Sequence, residues 1–271
     1  MVLIDSHTHL YLEDYKDDIQ LVVERALQNN VEYFLLPNID STTINKMKAL
    51  CLLYPERMFP MIGLHPTSVK DNYMQELLII RQELLTHKYY GIGEIGIDLH
   101  WDKSFLKEQQ FVLRYQLELA KEFQLPIAIH TRSSFDEAID IVREAKDDNL
   151  TGVFHCFGGS YQQAIDIIDM GFKLGIGGVV TFKNSGLDKV IDHIALEHII
   201  LESDSPYLTP SPYRGLRNES SYLTLIAQKL AEMKEISIQE VAAITSKNAM
   251  DLFNIQFNKK PAVLNGIKHE L

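Results

Sequence analysis

Histidine side chains recur in this sequence directly after short apolar runs. His7 and His9 follow the first such run, His65 the third, His130 the fifth and His155 the sixth. Five of the ten histidines therefore share one kind of position. Imidazole groups, especially together with carboxylates, bind zinc, manganese, iron and other divalent ions. The pattern indicates a metal centre.

The His7-Thr8-His9 segment places two imidazoles two residues apart. Residues at this spacing on an extended strand point to the same side, so both rings can face one ion. Taken alone, the pair is equally compatible with two incidental histidines.

Glu94 stands inside the apolar, glycine-rich run Gly91-Ile92-Gly93-Glu94-Ile95. A buried carboxylate is costly without a cationic partner. That partner is either a metal ion or a basic side chain in a structural salt bridge. Since a carboxylate has two oxygens, Glu94 can also bridge two ions.

Asp204 follows the last apolar run, in Glu202-Ser203-Asp204-Ser205-Pro206. We expect Asp204 to bind one ion and to accept the proton of a metal-bound water as general base. Glu202 lies on the same face but deeper, which favours an interior salt bridge or a contact to a metal ligand. Asp204 and Glu94 are the candidate catalytic residues, and the candidate cofactor is one or two divalent ions of zinc, manganese or magnesium.

Eight apolar runs alternate with amphipathic stretches and would position these side chains. The runs are 2–4, 33–36, 58–62, 91–95, 126–129, 152–154, 172–176 and 198–201. Consecutive apolar positions are typical of parallel strands buried on both faces. Eight such units predict an α/β fold, a TIM-like (β/α)8 barrel whose active site lies at the carboxyl ends of its strands. An open doubly wound sheet is the alternative, but no glycine-rich dinucleotide fingerprint follows the first run.

The clearest helical pattern covers residues 105–123, where apolar residues recur every three or four positions. Ser133 or Ser134 is expected to cap the helix after the fifth run, and Ser160 the one after the sixth. A further C-terminal helix is predicted near 237–253. We expect one barrel domain over residues 1–255 and a short tail over 256–271.

Composition limits the class of protein. With 26 basic and 37 acidic residues the net charge is −11, and 46% of the residues are hydrophobic, which excludes a disordered chain. No apolar run approaches the roughly 20 residues of a membrane span. The amino terminus lacks a basic, apolar signal segment, and two distant cysteines suggest no disulfide framework. These features predict a cytoplasmic protein that needs no membrane.

The motifs as a set resemble those of the TatD-related deoxyribonucleases, within the amidohydrolase superfamily. The resemblance runs in order from about residue 4 to 253. It rests on Asp5-Ser6-His7-Thr8-His9, Gly63-Leu64-His65-Pro66, Gly93-Glu94-Ile95-Gly96-Ile97-Asp98, Ile129-His130-Thr131-Arg132, His155-Cys156-Phe157, Glu202-Ser203-Asp204-Ser205-Pro206 and Arg217-Asn218-Glu219.

The resemblance implies a barrel that hydrolyses phosphodiester bonds in DNA with one or two divalent ions. Carried over by position, His7, His9, Glu94 and Asp204 would hold the first ion. Glu94, His130 and His155 would hold the second. Two positions depart from the family pattern: Leu99-His100-Trp101 follows Asp98 where a Tyr is usual, and Ser220 follows Glu219 where a Pro is usual. His100 and Trp101 either contact a nucleobase or form an exposed loop tip.

The charge of −11 argues against broad coating of duplex DNA, which needs many basic contacts. Phosphate would be met locally, and the candidate substrate-binding residues are His65, Arg132, Arg214 and Arg217. We therefore expect the substrate to be DNA with single-stranded ends, and no obligate protein partner. Two alternatives stay open: hydrolysis of a non-nucleic ester, lactone or aminoacyl-tRNA ester, and a metal-binding protein without activity.

Overall fold

Eight parallel strands close into a barrel whose carboxyl ends share one face. The structure is a computed structural model and describes residues 1–256. The strands are β1 (Leu3–Asp5), β2 (Val31–Leu36), β3 (Met58–Pro60), β4 (Ile92–Asp98), β5 (Ile127–Arg132), β6 (Gly152–Phe154), β7 (Lys173–Ile176) and β8 (Ile199–Leu201). Each strand overlaps one of the eight apolar runs, which confirms the predicted (β/α)8 architecture.

The strands pair regularly within two groups, β1–β3 and β4–β8. Between β3 and β4 an isolated bridge joins Ile62 to Ile92. Between β1 and β8 a second bridge joins Thr8 to Ser205, beyond the strand ends. The barrel is therefore closed at two seams by irregular hydrogen bonds rather than by regular ladders.

Helices surround the strands in the described part of the chain. They are α1 (Ile19–Gln28), α2 (Ile44–Leu53), α3 (Tyr73–Thr86), α4 (Leu106–Phe123), α5 (Phe135–Ala145), α6 (Tyr161–Asp169), α7 (Leu187–Asp192), α8 (Leu223–Lys234) and α9 (Ile238–Phe253). The predicted helices over 105–123 and 237–253 correspond to α4 and α9. Helix α9 is the extra element, tied to the strands where the Asn248 side chain donates to the Ile199 carbonyl at 2.8 Å.

The predicted cap at Ser160 is confirmed, and the one at Ser134 differs in its hydrogen bonds. Ser160 caps α6 in a reciprocal capping box with Gln163. Ser134 occupies the N-cap position of α5 but makes no capping hydrogen bond. Its hydroxyl instead donates to the Ile97 carbonyl at 2.5 Å and accepts from the Arg132 N–H at 3.1 Å. The hydroxyl therefore links the ends of β4 and β5.

An apolar floor fills the barrel interior below the site. Ala128 of β5, Val153 of β6 and Ile200 of β8 belong to one buried cluster, which also includes Phe253 of α9. Side chains two residues further along each strand point to the same side. The floor residues on β5 and β6 are therefore followed by His130 and His155.

Two buried glutamines of α4 hold the strand ends. Gln116 accepts from the Leu64 N–H at 2.7 Å, and Gln109 accepts from the Asp98 N–H at 2.9 Å. Each amide also donates back to the carbonyl of the same residue, at 3.3 Å in both cases. Since the glutamines are seven residues apart, they lie on one face of the helix.

No helix within residues 1–256 is long and apolar enough to cross a membrane. Helix α9 ends at Phe253, and the predicted tail falls almost wholly on residues 257–271, outside the described residues.

Candidate metal centre

Glu94 is the centre of the site, and its two oxygens face different sets of imidazoles. The side chain is only 3% exposed. Its Oε2 lies 3.2 Å from Nε2 of His7 and 3.4 Å from Nε2 of His9. The His7-Thr8-His9 pair therefore turns both rings toward one oxygen.

The other oxygen, Oε1, faces three histidines from neighbouring strands. It lies 2.8 Å from Nδ1 of His130, 3.0 Å from Nε2 of His155 and 3.2 Å from Nε2 of His65. One buried carboxylate thus stands between two groups of nitrogen donors.

Asp204 completes the first group. Its Oδ1 lies 3.9 Å from Nε2 of His7 and 3.8 Å from Nε2 of His9. The backbone at Asp204 has a positive φ of 54°, and its N–H donates to the His7 carbonyl at 2.9 Å. This left-handed conformation aims the carboxylate back over the end of β1.

Hydrogen bonds from behind hold three of the imidazoles. Nδ1 of His9 lies 3.0 Å from the Tyr11 hydroxyl, and Nδ1 of His155 lies 3.2 Å from Oε1 of Glu202. Nε2 of His130 lies 3.0 Å from Oδ2 of Asp98. Such contacts fix the orientation and the tautomer of a metal-binding imidazole.

Burial keeps two of the histidines neutral. It lowers the pKa of His7 well below its usual value, with repulsion from His155 adding to the effect. Burial also lowers the pKa of His65. A neutral imidazole has a lone pair available for a metal ion.

The carboxylates respond differently to the same environment. Burial would raise the pKa of Glu94, but the positive charge of His155 and the hydrogen bond to His130 hold it well below its usual value. Burial raises the pKa of Asp204 to about 6. Glu94 is therefore ionised at neutral pH, whereas Asp204 can accept a proton near neutrality.

The donor set fits one or two divalent cations. Imidazole and carboxylate are the ligands that zinc and manganese favour. Nδ1 of His7, on the side of the ring away from Glu94, is buried and has no hydrogen-bond partner among residues 1–256, so no described protein group holds this ring from behind. Three sets of donors lie within 4.8 Å of one another: His7 with His9 and Glu94, His7 with His155 and Asp204, and His65 with Glu94 and His130.

The structure brings together all six residues predicted to bind metal, and it places His65 among them. His65 was expected at the substrate, yet its Nε2 contacts the same oxygen of Glu94 as His130 and His155. Its Nδ1 lies 2.7 Å from the Thr67 hydroxyl. The side chain is therefore a seventh donor candidate.

The three predicted arginines have different surroundings. Arg132 is exposed at the end of β5, with its guanidinium 5.2 Å from the centre of the Trp101 ring. Arg214 is exposed and lies 3.6 Å above the Phe182 ring. Arg132 is the last residue of β5, and Arg214 lies on the loop that follows β8.

Arg217 differs from that expectation. Its two terminal nitrogens contact both oxygens of Asp18, at 2.8 and 2.6 Å. The next two residues are also tied down: Asn218 donates to the Ser203 carbonyl at 2.7 Å, and Glu219 accepts from Arg25 at 2.9 Å. The Arg217-Asn218-Glu219 motif therefore attaches the loop after β8 to α1. In this conformation the terminal nitrogens of the Arg217 guanidinium are paired with Asp18 and not available to a phosphate.

Gly96 occupies a position in β4 that requires a glycine. Its φ is +146°, and a Cβ built there would lie 2.0 Å from the His130 carbonyl oxygen. The glycine therefore allows β4 to approach the backbone of β5 closely.

Asp98 and Tyr11 are site residues that sequence reasoning did not assign. Asp98 lies four residues after Glu94 on β4, so strand alternation places both carboxylates on the same side. That spacing was a usable signal. The Tyr11 hydroxyl donates to the Pro37 carbonyl at 2.5 Å, a contact with no counterpart in local spacing.

Comparisons with known proteins agree with this geometry. The family model described as TatD related DNase matches residues 4–254. A Bacillus subtilis protein, the uncharacterized metal-dependent hydrolase YabD, is 39% identical over 255 residues, which cover 94% of this chain and all of that protein. The Escherichia coli K12 protein YcfH, also an uncharacterized metal-dependent hydrolase, is 29% identical over 97% of this chain and 100% of its own length.

A solved structure is similar throughout. The crystal structure of the TatD homologue YjjV from Escherichia coli K12 superposes with a TM-score of 0.89 at 28% sequence identity. The match covers 94% of this chain and 98% of that one. Fold and length are therefore shared across the whole barrel.

Proposed function

Because this chain is a metal-dependent hydrolase of the TatD-related DNase family, we propose that it hydrolyses phosphodiester bonds of DNA from single-stranded ends. The observation that carries the proposal is the division of Glu94 between two donor groups. Oε2 faces His7 and His9, and Oε1 faces His130 and His155. This arrangement suits a pair of divalent ions sharing one carboxylate.

Each residue has a definite task in this proposal. Divalent ions held by these histidines and carboxylates would supply two effects: polarisation of a phosphate oxygen and a lower pKa for the attacking water. Asp204 would accept the proton of the attacking water, a role supported by its place beside His7 and His9 and by burial, which raises the pKa of its carboxyl to about 6 in the metal-free protein. Glu94 stays ionised, and its two oxygens hold the two groups of histidines in position.

The charge distribution supports a strand end as substrate. A net charge of −11 disfavours the many basic contacts by which a protein tracks along a duplex. Arg132 and Arg214 supply exposed guanidinium groups, whose planar fork matches phosphate oxygens. A few local contacts suffice for a short, single-stranded terminus.

The test compares substrates in protein loaded with zinc, manganese or magnesium. We expect an end-labelled linear single-stranded oligonucleotide to be shortened stepwise, and a circular single strand of the same composition to be cut far more slowly. Equal rates on circle and line would contradict the preference for ends. Turnover of an ester, a lactone or an aminoacyl-tRNA without any cleavage of DNA would replace the proposal with the alternative hydrolase.

A further inference from the structure

Trp101 is an exposed aromatic side chain on the loop between β4 and α4. It is 70% exposed and is the only tryptophan in the sequence. Leaving an indole in water forgoes the benefit of burying a large apolar surface. Its position on a loop at the carboxyl ends of the strands places it on the face that carries the metal donors.

The indole is paired with a cation. The Arg132 guanidinium lies 5.2 Å from the ring centre, within the range of a cation–π contact. The His100 ring meets the indole edge-on at 4.8 Å. With 70% of the residue still exposed, the indole retains surface for a further ring.

Both members of this pair are anchored to the metal centre. Oδ1 of Asp98 accepts from the N–H groups of His100 and Trp101, at 2.9 and 3.3 Å. Oδ2 of the same carboxylate lies 3.0 Å from Nε2 of His130. Arg132 follows His130 by two residues on β5, and its carbonyl accepts from the Leu99 N–H at 2.9 Å.

From this arrangement we infer that Trp101 and Arg132 form a subsite for one nucleotide next to the metal centre. The indole stacks on the nucleobase, and the guanidinium binds the adjoining phosphate. The inference rests on the proposed function and adds to it the part of the substrate recognised beyond the scissile bond. Since every base has a stacking face, the subsite tolerates any sequence but requires a base.

Trp101 itself reports the contact, because it is the sole tryptophan. We expect a single-stranded oligothymidylate, mixed with metal-loaded protein, to quench the tryptophan fluorescence before turnover. The same oligonucleotide with abasic residues at both ends should leave the fluorescence nearly unchanged. Equal quenching by the two, or none by either, would overturn the subsite.

Kinetics give an independent readout. Trp101→Ala should raise KM for the base-bearing end about tenfold and leave KM for the abasic end unchanged, whereas Trp101→Phe should restore most of the loss. Phe111→Ala is the matched control, since Phe111 is a half-exposed aromatic on α4 that contacts Tyr73. An equal loss on both ends would refute the subsite while DNA hydrolysis stands. Absence of cleavage by wild-type protein would instead refute the proposed function, and quenching that depends on the base would still support the subsite.

Discussion

Oε1 of Glu202 lies 3.2 Å from Nδ1 of His155, and Nε2 of the same ring lies 3.0 Å from Glu94. The Cys156 N–H donates to the same oxygen of Glu202, which is fully buried. The ring is thus held from behind, with its other nitrogen directed into the donor cluster. Glu202 acts as a positioning residue for His155.

We therefore expect Glu202→Gln to weaken metal binding about 10- to 100-fold, because a neutral amide holds the imidazole less firmly. Titration of the metal-free protein against a competing chelator measures the effect. Glu76→Gln is the control, since Glu76 is also buried but accepts from Ser41, away from the centre. An unchanged dissociation constant in folded Glu202→Gln protein would contradict the positioning role.

Replacing Glu94 tests whether the two donor groups share one ligand. Glu94→Ala removes both oxygens, so we expect bound metal to fall and hydrolysis to be abolished. Metal content per chain and turnover are measured on the same preparation. Full activity at an unchanged metal content would rule out the shared carboxylate.

Asp204→Asn separates proton transfer from substrate binding. An amide cannot accept the proton, so kcat should fall about 10²- to 10⁴-fold. KM should change much less, since Asp204 lies on the side of His7 and His9 rather than beside Arg132. Steady-state kinetics at saturating metal provide the comparison, and an unchanged kcat would eliminate Asp204 as the base.

The Arg25–Glu219 pair predicts a pH-dependent part of the stability. Burial would raise the pKa of Glu219, but hydrogen bonds from Arg25 and Ser221 lower it below its ordinary value. The pair's contribution is therefore fully present above the unfolded-state pKa of about 4.3, and it is lost as the pH falls through the lower folded-state value.

Glu219→Gln should then reduce the free energy of unfolding by about 1 kcal/mol at pH 7, because Arg25 loses its charged partner. The deficit relative to wild type should shrink toward pH 3. Urea unfolding at a series of pH values measures it, and a deficit independent of pH would assign the effect to packing instead of charge.

The strands and the metal donors were accessible from the sequence because both follow local rules. His130 and His155 each stand two residues beyond a buried floor residue, so strand alternation alone aims them inward. The recurrence of apolar residues every three or four positions likewise predicts α4 from the sequence. Convergence on Glu94 then follows from closing eight such strands around one axis.

The contacts between distant parts of the chain were not accessible in this way. Nothing near Arg217 in the sequence reveals that Asp18 occupies its guanidinium, because 199 residues separate the two. The contact between His65 and Glu94 depends on how β3 meets β4 across a seam, which no local pattern reveals. The Ser134 hydroxyl does not cap α5, because it forms hydrogen bonds with the backbone of β4 and β5.

The metal-donor residues come from both groups of strands that the two seams separate. His7, His9 and His65 belong to the β1–β3 group, whereas Glu94, His130, His155 and Asp204 belong to the β4–β8 group. Any ion bound by residues of both groups would link the two groups across the irregular seams between β3 and β4 and between β8 and β1. Metal binding would then be thermodynamically coupled to the association of the β1–β3 and β4–β8 groups. We expect metal binding to slow the exchange of amide hydrogens along both seams together.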